Sequence, residues 1–252
     1  MKKIVFIGDY RFPSDFASCN RTYYLAKACQ SIGYDTLIIG KGTLENKEKD
    51  INLYKGIKYT TMSKKQIGTF LKLLTIVQRR RLYVKTLKKY AKDAAYIIAY
   101  ACSCPSHIKK IIKFGKKNNI KIICEVSEWY DRQQFFGFKG MIEHAIFQNA
   151  FKNIFYKADK LICLSKFLRD YFINKNSDIL VLNGIIDLNE FKPNLNLNND
   201  KCVLIYSGIP RKKDYIIEFY KAFDILQIPD KVELNIVGPT EKDLDNLFRV
   251  VH

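Results

Sequence analysis

The sequence predicts an α/β protein with a parallel β-sheet covered by helices on both faces. Short apolar segments alternate with longer segments of helical periodicity. The apolar segments are hydrophobic at consecutive positions, as strands buried on both faces are, and the chain is 48% hydrophobic, enough to form a core. Because such sheets bind ligands at the carboxyl ends of their strands, the residues that follow each strand are the candidates for function.

Seven strands and five helices alternate in the first part of the chain. The initial apolar run follows two lysines and is too short for a signal peptide, so a first strand is predicted there. No stretch is long and apolar enough for a membrane span. The predicted strands are Lys3–Ile7, Thr36–Ile39, Ile57–Thr60, Ala95–Ala99, Ile120–Cys124, Lys160–Leu164 and Ile179–Leu182, and the predicted helices are Arg21–Ile32, Gln66–Ala91, Ser106–Asn118, Lys139–Tyr156 and Lys166–Asn174.

A linker is predicted where the alternation stops. Asp187–Asp200 is rich in asparagine, contains a proline and has no periodicity. We therefore predict a first domain at 1–187, a linker at 188–200 and a second domain at 201–252. The second domain opens with a βαβ unit.

The net charge of the chain indicates which partners it can bind, and its cysteine content indicates its redox compartment. The chain has 43 basic and 25 acidic residues, a net charge of +18, which favours phosphates, anionic lipid or nucleic acid. Its seven cysteines are an odd number, and Cys124 and Cys163 lie in apolar strands, as reduced cysteines of a cytoplasmic protein do. No cysteine and histidine spacing is typical of zinc, and no metal is expected.

A basic turn follows the first strand of the second domain. Gly208 ends this strand, and Arg211, Lys212 and Lys213 precede a helix. A helix N-terminus attracts anions, and three cations strengthen that field. The turn is predicted to bind a diphosphate; a solvated basic turn is the alternative.

An acidic and aromatic segment follows the strand that ends at Cys124. Glu128, Trp129 and Asp131 are candidates for binding a sugar, because carboxylates accept hydrogen bonds from hydroxyls and an aromatic face covers a sugar ring. Glu128 is preferred over Glu125, which the strand is expected to bury. The alternative is a surface loop whose Trp129 fills the core.

Two further features have both a functional and a structural interpretation. Arg21 opens the first predicted helix and could bind a phosphate or an acceptor, although Ser18 or Asn20 as an N-cap explains the same segment. The basic helix at 66–92 could lie on anionic lipid with Arg79–Lys89, or it could be only a crossover helix; both can hold. His107 and His144 appear isolated, and a structural role is favoured for each.

Four segments, in this order, resemble the retaining family four of the GT-B glycosyltransferases, especially its capsule and polysaccharide enzymes. Arg21–Ile39 is similar to the first helix, turn and second strand of that family, and Ala158–Leu168 to a strand that ends in serine before a helix. Val181–Asp187 resembles the Asn-Gly-x-Asp turn, formed here with Asn183 and Gly184. Val203–Phe223 resembles the first strand, loop and helix of the nucleotide-sugar domain, with Lys213-Asp214 in place of Lys-Gly.

The resemblance implies a GT-B fold and a transferase. It also implies that the second domain is truncated, so that the chain is expected to bind a diphosphate weakly and to be a poor transferase. The donor would be a nucleotide sugar, bound at Gly208, Arg211, Lys212, Lys213, Asn183 and Gly184, and the acceptor a growing glycan or a lipid-linked glycan, bound at Arg21, Glu128, Trp129 and Asp131. Arg211, Lys213 and Glu128 would be catalytic, without a metal. Departures from the family are the loop after the first strand, whose one glycine is Gly8, and the lack of a matching acceptor-side histidine.

Other functions remain open at this level. One alternative is an inactive or binding-only protein of the same fold, and another is a basic Rossmann-like protein that binds nucleic acid or a membrane surface. Nucleic acid is disfavoured, because only net charge supports it. No GxGxxG follows the first strand, which disfavours a nicotinamide enzyme. The expected location is cytoplasmic, with peripheral attachment to the inner face of the membrane.

Overall fold

The fold is described from a computed structural model of the chain. It describes residues 1–14, 16–41, 49–62, 72–100, 105–192, 201–208, 214–226, 231–241 and 243, with the backbone alone for 72–80. Two compact units are present, Met1–Phe191 and Lys192–His252.

The first unit is built on an eight-stranded sheet. Its strands are β1 (Lys3–Arg11), β2 (Asp35–Lys41), β3 (Asn52–Tyr54), β4 (Ile57–Thr61), β5 (Ala94–Tyr100), β6 (Lys121–Val126), β7 (Lys160–Cys163) and β8 (Ile179–Val181). The spatial order is β3-β4-β2-β1-β5-β6-β7-β8, and every pairing except β3 with β4 is parallel. The predicted α/β class is confirmed. The short hairpin strand β3 was not predicted, because Asn52–Tyr54 is too short to show alternation.

Five α-helices lie between these strands among the residues that the structure describes. They are α1 (Ala17–Ser31), α2 (Lys72–Tyr90), α3 (Pro105–Asn118), α4 (Gly137–Asn153) and α5 (Lys166–Phe172). Helix α5 begins at an N-cap, Ser165, whose hydroxyl accepts a hydrogen bond of 3.3 Å from the Leu168 amide. Part of the predicted helix at 66–91 falls on 66–71, which lie outside the described residues.

The sheet has a hydrophobic core on each face. One core contains Val5 and Ile97 of the sheet together with buried residues of α2, α3, α4 and α5. The other lies under α1 and contains Phe6, Tyr23 and Tyr59. Burial on both faces explains why the strands are apolar at consecutive positions.

The second unit contains two parallel strands and one helix among its described residues. They are β9 (Cys202–Ser207), α6 (Ile216–Leu226) and β10 (Val232–Val237), with β9 paired to β10 from Cys202 opposite Val232 to Ser207 opposite Val237. This is the βαβ unit that the sequence predicts.

Among the described residues, no helix has the length and apolar character needed to cross a membrane.

Candidate functional site

The carboxyl edge of the large sheet brings polar side chains from distant parts of the sequence together. In the parallel register Gly8 of β1 lies opposite Tyr100 of β5, and Tyr100 lies opposite Glu125 of β6. Gly8, Tyr100 and Glu125 therefore form one row across the carboxyl ends of three central strands. Parallel α/β sheets bind ligands at this edge.

Gly8 allows this row to form because the backbone is crowded. A Cβ atom at this position would lie 1.9 Å from the Tyr100 carbonyl oxygen and 2.4 Å from Cε1 of Tyr10. No side chain fits between β1 and β5 at this point. The single glycine after the first strand therefore serves close packing of the strand end.

Arg21 joins the ends of two strands, β6 and β8, through its guanidinium group. It is ion-paired through Nε with Glu125 Oε1. Its two terminal nitrogens donate hydrogen bonds to main-chain carbonyls, Nη1 to Asn183 at 2.7 Å and Nη2 to Leu182 at 2.8 Å. The Arg21 side chain is only 10% exposed. It therefore fixes the segment after β8 against the end of β6.

The sequence prediction of an N-cap next to Arg21 is wrong. Helix α1 begins at Ala17, and its N-cap is Phe16, which makes no side-chain capping bond. Ser18 and Asn20 lie inside the helix. Arg21 consequently lies in the second turn, from which its long side chain reaches Glu125.

Glu125 is buried, as expected, and its second oxygen faces no donor. The side chain has no exposed surface, and Oε2 has no hydrogen-bond partner among the described residues. Burial raises the pKa of this carboxyl, while the Arg21 charge and hydrogen bond lower it. Arg21 is the counterion of Glu125, and the two side chains form one buried ion pair.

Tyr100 and Glu128 lie beside this pair. Burial raises the pKa of the Tyr100 hydroxyl, as do the neighbouring carboxylates of Glu125 and Glu128, while Ser127 and Arg21 act in the opposite direction. Glu128 is exposed. The structure thus places an exposed carboxylate, a serine and a tyrosine at one strand edge. Tyr100 and Ser127 were missed by the sequence reasoning, although a polar residue that ends an apolar strand is a usable signal.

Trp129 lies half-buried in an aromatic cluster. Its ring makes edge contacts with Phe151, Phe167 and Tyr171 at centroid distances of 5.1, 5.5 and 5.0 Å. Its indole N–H donates a 3.1 Å hydrogen bond to Asp131, which is itself exposed. The core therefore occupies part of the ring, and Asp131 orients it.

A second polar cluster lies at the end of β1. Lys41 Nζ lies 2.5 Å from one oxygen of Asp9, and His107 Nδ1 lies 3.7 Å from the other. Burial of Asp9 favours its neutral form, but His107 and Lys41 outweigh this and lower the pKa of Asp9 to about 2. His107 is buried and stacked on Tyr83 at 4.6 Å, so the sequence impression of an isolated histidine is wrong.

The segment after β8 is fixed to α1 at further points. Lys27 Nζ lies 2.6 Å from both Asp187 and Glu190, and Tyr24 donates a 2.9 Å hydrogen bond to Glu190. Asn183 and Gly184, both candidate donor residues, are exposed at the start of this segment. Arg21, Tyr24 and Lys27 therefore hold residues 182–190 along one side of α1.

The candidate donor residues of the second unit lie mostly outside the described residues. Arg211, Lys212 and Lys213 are among those not described. The last described residue before them is Gly208, whose φ of +140° favours glycine and whose N–H donates a 2.9 Å hydrogen bond to the Val237 carbonyl. Beyond the turn, Asp214 accepts a 3.1 Å hydrogen bond from Tyr206. Gly238 packs so closely on Gly208 that a Cβ would lie 3.2 Å from the Gly208 carbonyl oxygen.

No group of three or more His, Cys, Asp and Glu side chains arranged to hold a metal ion occurs among the described residues.

Solved structures of glycosyltransferases share this fold over nearly the whole chain. Sucrose-phosphate synthase from Thermosynechococcus elongatus matches with a TM-score of 0.69 at 14% identity, covering 99% of this chain and 68% of that chain. The catalytic domain of starch synthase IV from Arabidopsis thaliana, bound to ADP and acarbose, matches with a TM-score of 0.58 at 10% identity, covering 99% and 71%.

A third solved structure is HepE of Anabaena in complex with UDP-glucose. It matches with a TM-score of 0.54 at 13% identity, covering 98% of this chain and 71% of that chain. No protein-family model matches the sequence, and no curated protein sequence matches it. At these identities the likeness concerns the fold: the chain has the α/β fold of GT-B glycosyltransferases, as the sequence predicts.

Proposed function

We propose that the chain is a glycosyltransferase that moves a sugar from a nucleotide-sugar donor to a growing or lipid-linked glycan. One observation supports this most directly. A fold shared with glycosyltransferases over 98% or more of the chain carries a polar cluster at the carboxyl edge of its central strands. One of the matching structures holds ADP and another holds UDP-glucose. Retention of configuration is part of the proposal, and it rests on the sequence resemblance to family four.

The donor diphosphate is assigned to the turn after Gly208. Arg211, Lys212 and Lys213 would stabilise the charge that develops on the leaving nucleoside diphosphate. Fixed cations can do this without a metal, and none is proposed. Gly208 and Gly238 follow β9 and β10 at the carboxyl ends of these strands, where parallel sheets bind ligands, and their backbones pack closely on each other because neither carries a side chain. Asn183 and Gly184, which are exposed in the first unit, are proposed as donor-binding residues because of the sequence resemblance.

The acceptor is assigned to the carboxyl edge of the large sheet. Glu128 is exposed next to Tyr100, so its carboxylate is available to a sugar hydroxyl. Asp131 is exposed as well, and Trp129 offers the part of its ring that the aromatic cluster does not cover. Arg21 is assigned a supporting role, because Glu125 and two carbonyls already occupy its guanidinium group.

Nucleotide binding tests the donor assignment. Calorimetry with UDP, ADP, GDP and pyrophosphate is expected to show binding that weakens as salt increases. The double variant Arg211→Ala/Lys213→Ala is expected to abolish it. The matched control Lys2→Ala/Lys55→Ala removes the same charge from the first unit and should bind like the wild type. Equal loss in both variants, or no binding of any diphosphate, would contradict the assignment.

Turnover of a nucleotide sugar tests the reaction and its stereochemistry. NMR of the product anomer is expected to show the donor configuration retained. Glu128→Gln should lower kcat/KM for acceptor by roughly a hundredfold, the scale of a lost acid or base. Glu143→Gln, an exposed control that pairs with Lys139 on α4, should not. An inverted product would refute retention alone, whereas equal activity of the two variants would refute the role of Glu128.

A further inference from the structure

Helix α3 presents lysines to the solvent and carries no acidic residue. Its sequence contains five lysines in fourteen residues, and the apolar residues between them are buried in the core. None of the five makes an ion pair within the part of the chain that the structure describes. The stripe consists of Lys109, Lys110, Lys113, Lys116 and Lys117.

Helix α4 exposes large apolar residues at its beginning. Phe138 is 78% exposed and Phe136, immediately before the helix, is 67% exposed. Met141 and Ile142 lie one turn later and are about half exposed. Positions 138, 141 and 142 share one face of a helix. A cluster of four large apolar side chains within seven residues is costly to leave in water.

These two features lie on the same side of the molecule. Helices α3 and α4 contact each other and bury their inner faces in the same core cluster. Both follow parallel strands, so both begin at the carboxyl edge of the sheet. The lysine stripe and the apolar cluster at 136–142 therefore belong to two neighbouring helices on one face of the sheet, and together they are called here the α3–α4 surface.

We propose that the α3–α4 surface docks on an anionic lipid bilayer. Unpaired lysines are attracted to acidic headgroups, and exposed phenylalanine, methionine and isoleucine side chains can enter the boundary between headgroups and acyl chains. Attachment would be peripheral. This extends the proposed function, because a lipid-linked acceptor is held at such a surface, close to the sheet edge where both helices begin.

The charge pattern favours a bilayer over the other possible occupants. In a symmetric pairing of two copies, each lysine stripe would face the same stripe of the partner, and like charges repel. A nucleic acid would neutralise the lysines but would leave the aliphatic side chains of Met141 and Ile142 without an apolar environment. A bilayer with acidic headgroups satisfies both parts of the surface.

The surface differs from the one that the sequence suggested. The expectation was centred on Arg79–Lys89, of which Arg79 and Arg80 have side chains outside the described set. In α2, Tyr83 and Leu87 are buried and Lys85 and Lys88 are exposed, as in a crossover helix with a basic outer side. Lys89 is ion-paired with Asp50 at 2.6 Å. Helix α2 borders α3 and widens the basic area, while the apolar contact belongs to α4.

Sedimentation with vesicles tests the proposal without any transfer assay. Vesicles of phosphatidylcholine with phosphatidylglycerol should bind the protein at low salt, and phosphatidylcholine vesicles should bind it far more weakly. Lys113→Gln/Lys116→Gln should lower partitioning roughly 25-fold, about fivefold for each charge near an anionic surface. Phe138→Ser/Ile142→Ser should lower it at least about tenfold, including at high salt, where the apolar contact dominates.

Matched variants identify a specific surface. Lys2→Gln/Lys55→Gln removes equal charge elsewhere, and Ile32→Ser/Leu53→Ser removes two exposed apolar side chains that do not belong to α3 or α4. Both controls should bind vesicles like the wild type. Equal losses of vesicle binding in the variants of the α3–α4 surface and in the control variants would overturn the proposal. Equal binding of the wild type to both vesicle types would overturn it as well.

Two other outcomes would replace the bilayer with another occupant. The first is a dimer in ultracentrifugation that Phe138→Ser/Ile142→Ser dissociates, with no vesicle binding; the surface would then be an interface between copies. The second is binding of a DNA oligonucleotide, but of no vesicle, that depends on Lys113 and Lys116. Because vesicle binding needs no donor, its failure is distinguishable from failure of the proposed transferase activity.

Discussion

Arg21 on α1 is ion-paired with Glu125 at the carboxyl end of β6, and both side chains are almost fully buried. The same guanidinium group donates to the carbonyls of Leu182 and Asn183 after β8. One side chain thus neutralises a buried carboxylate and satisfies two carbonyl groups at the start of the segment that leaves the first unit.

Replacing Arg21 should therefore be more damaging than replacing its partner. Arg21→Met leaves Glu125 buried without a counterion, and we expect unfolding free energy to fall by about 3–5 kcal/mol. Glu125→Gln should cost less, because an uncharged amide needs no counterion. Urea denaturation at neutral pH measures both, and equal losses would contradict the explanation.

The Arg21→Met defect should depend on pH. Burial raises the pKa of Glu125 above its ordinary value of 4.5, and Arg21 holds it down. Removing Arg21 raises the pKa of Glu125 further. As pH rises past 4.5, Glu125 of the unfolded chain releases its proton while Glu125 of the folded variant still holds it. The defect should therefore shrink as pH falls toward 4 and grow as pH rises to neutrality.

Asp9 should give the opposite pH dependence. The pKa of Asp9 is lowered from 3.8 to about 2, so the stabilisation that it contributes is complete above pH 3.8 and is lost as pH falls through 2. This difference between the two pKa values corresponds to about 2 kcal/mol of folding stability. Asp9→Asn should show a flatter loss of stability below pH 4 in urea titrations. Asp170→Asn, an exposed control, should follow the wild-type curve.

Two glycines should respond in opposite ways to alanine. A Cβ at Gly8 would lie 1.9 Å from the Tyr100 carbonyl oxygen, whereas nothing lies within 4 Å of a Cβ at Gly184. Gly8→Ala should destabilise by about 3 kcal/mol or more, because β1 and β5 must separate. Gly184→Ala should be neutral or slightly stabilising. Thermal melts of both variants measure these effects. A comparable Tm for the two variants would contradict the packing argument.

The segment at 187–191 should exchange slowly because α1 holds it. The amides of Glu190 and Phe191 both donate to the Asp187 carbonyl at 3.0 Å, and Lys27 pairs with two carboxylates of the segment. Lys27→Met should speed hydrogen exchange of these amides without changing global stability. Lys58→Met, which breaks the ion pair with Asp35, should leave their exchange unchanged.

Trp129 should contribute to stability regardless of its role in binding. It packs on Phe151, Phe167 and Tyr171, and Trp129→Ala is expected to cost about 3 kcal/mol. Phe138→Ala, at an exposed position, should cost almost nothing. Circular dichroism in urea measures both. Because Trp129 is the only tryptophan, its fluorescence in the wild type also reports any acceptor that contacts its ring.

The sequence was sufficient for the α/β class and for the position of nearly every strand. Consecutive apolar residues, as in Ile4–Ile7 and Ile97–Ala99, occur only where both faces of a strand are covered, and this pattern is local. The helices were equally evident from their periodicity. The serine cap of α5 follows from a short motif, because local backbone geometry determines where a helix begins.

The composition of the site was decided only by the tertiary structure. Arg21 and Glu125 are 104 residues apart, and no local pattern indicates that β1, β5 and β6 end in one row. The same holds for Asp9 with His107, which appeared isolated in the sequence, and for the start of α1, where Phe16 replaces the expected cap. Side-chain pairing across a sheet depends on strand order and register, and these are set by packing of the whole domain rather than by neighbours in the chain.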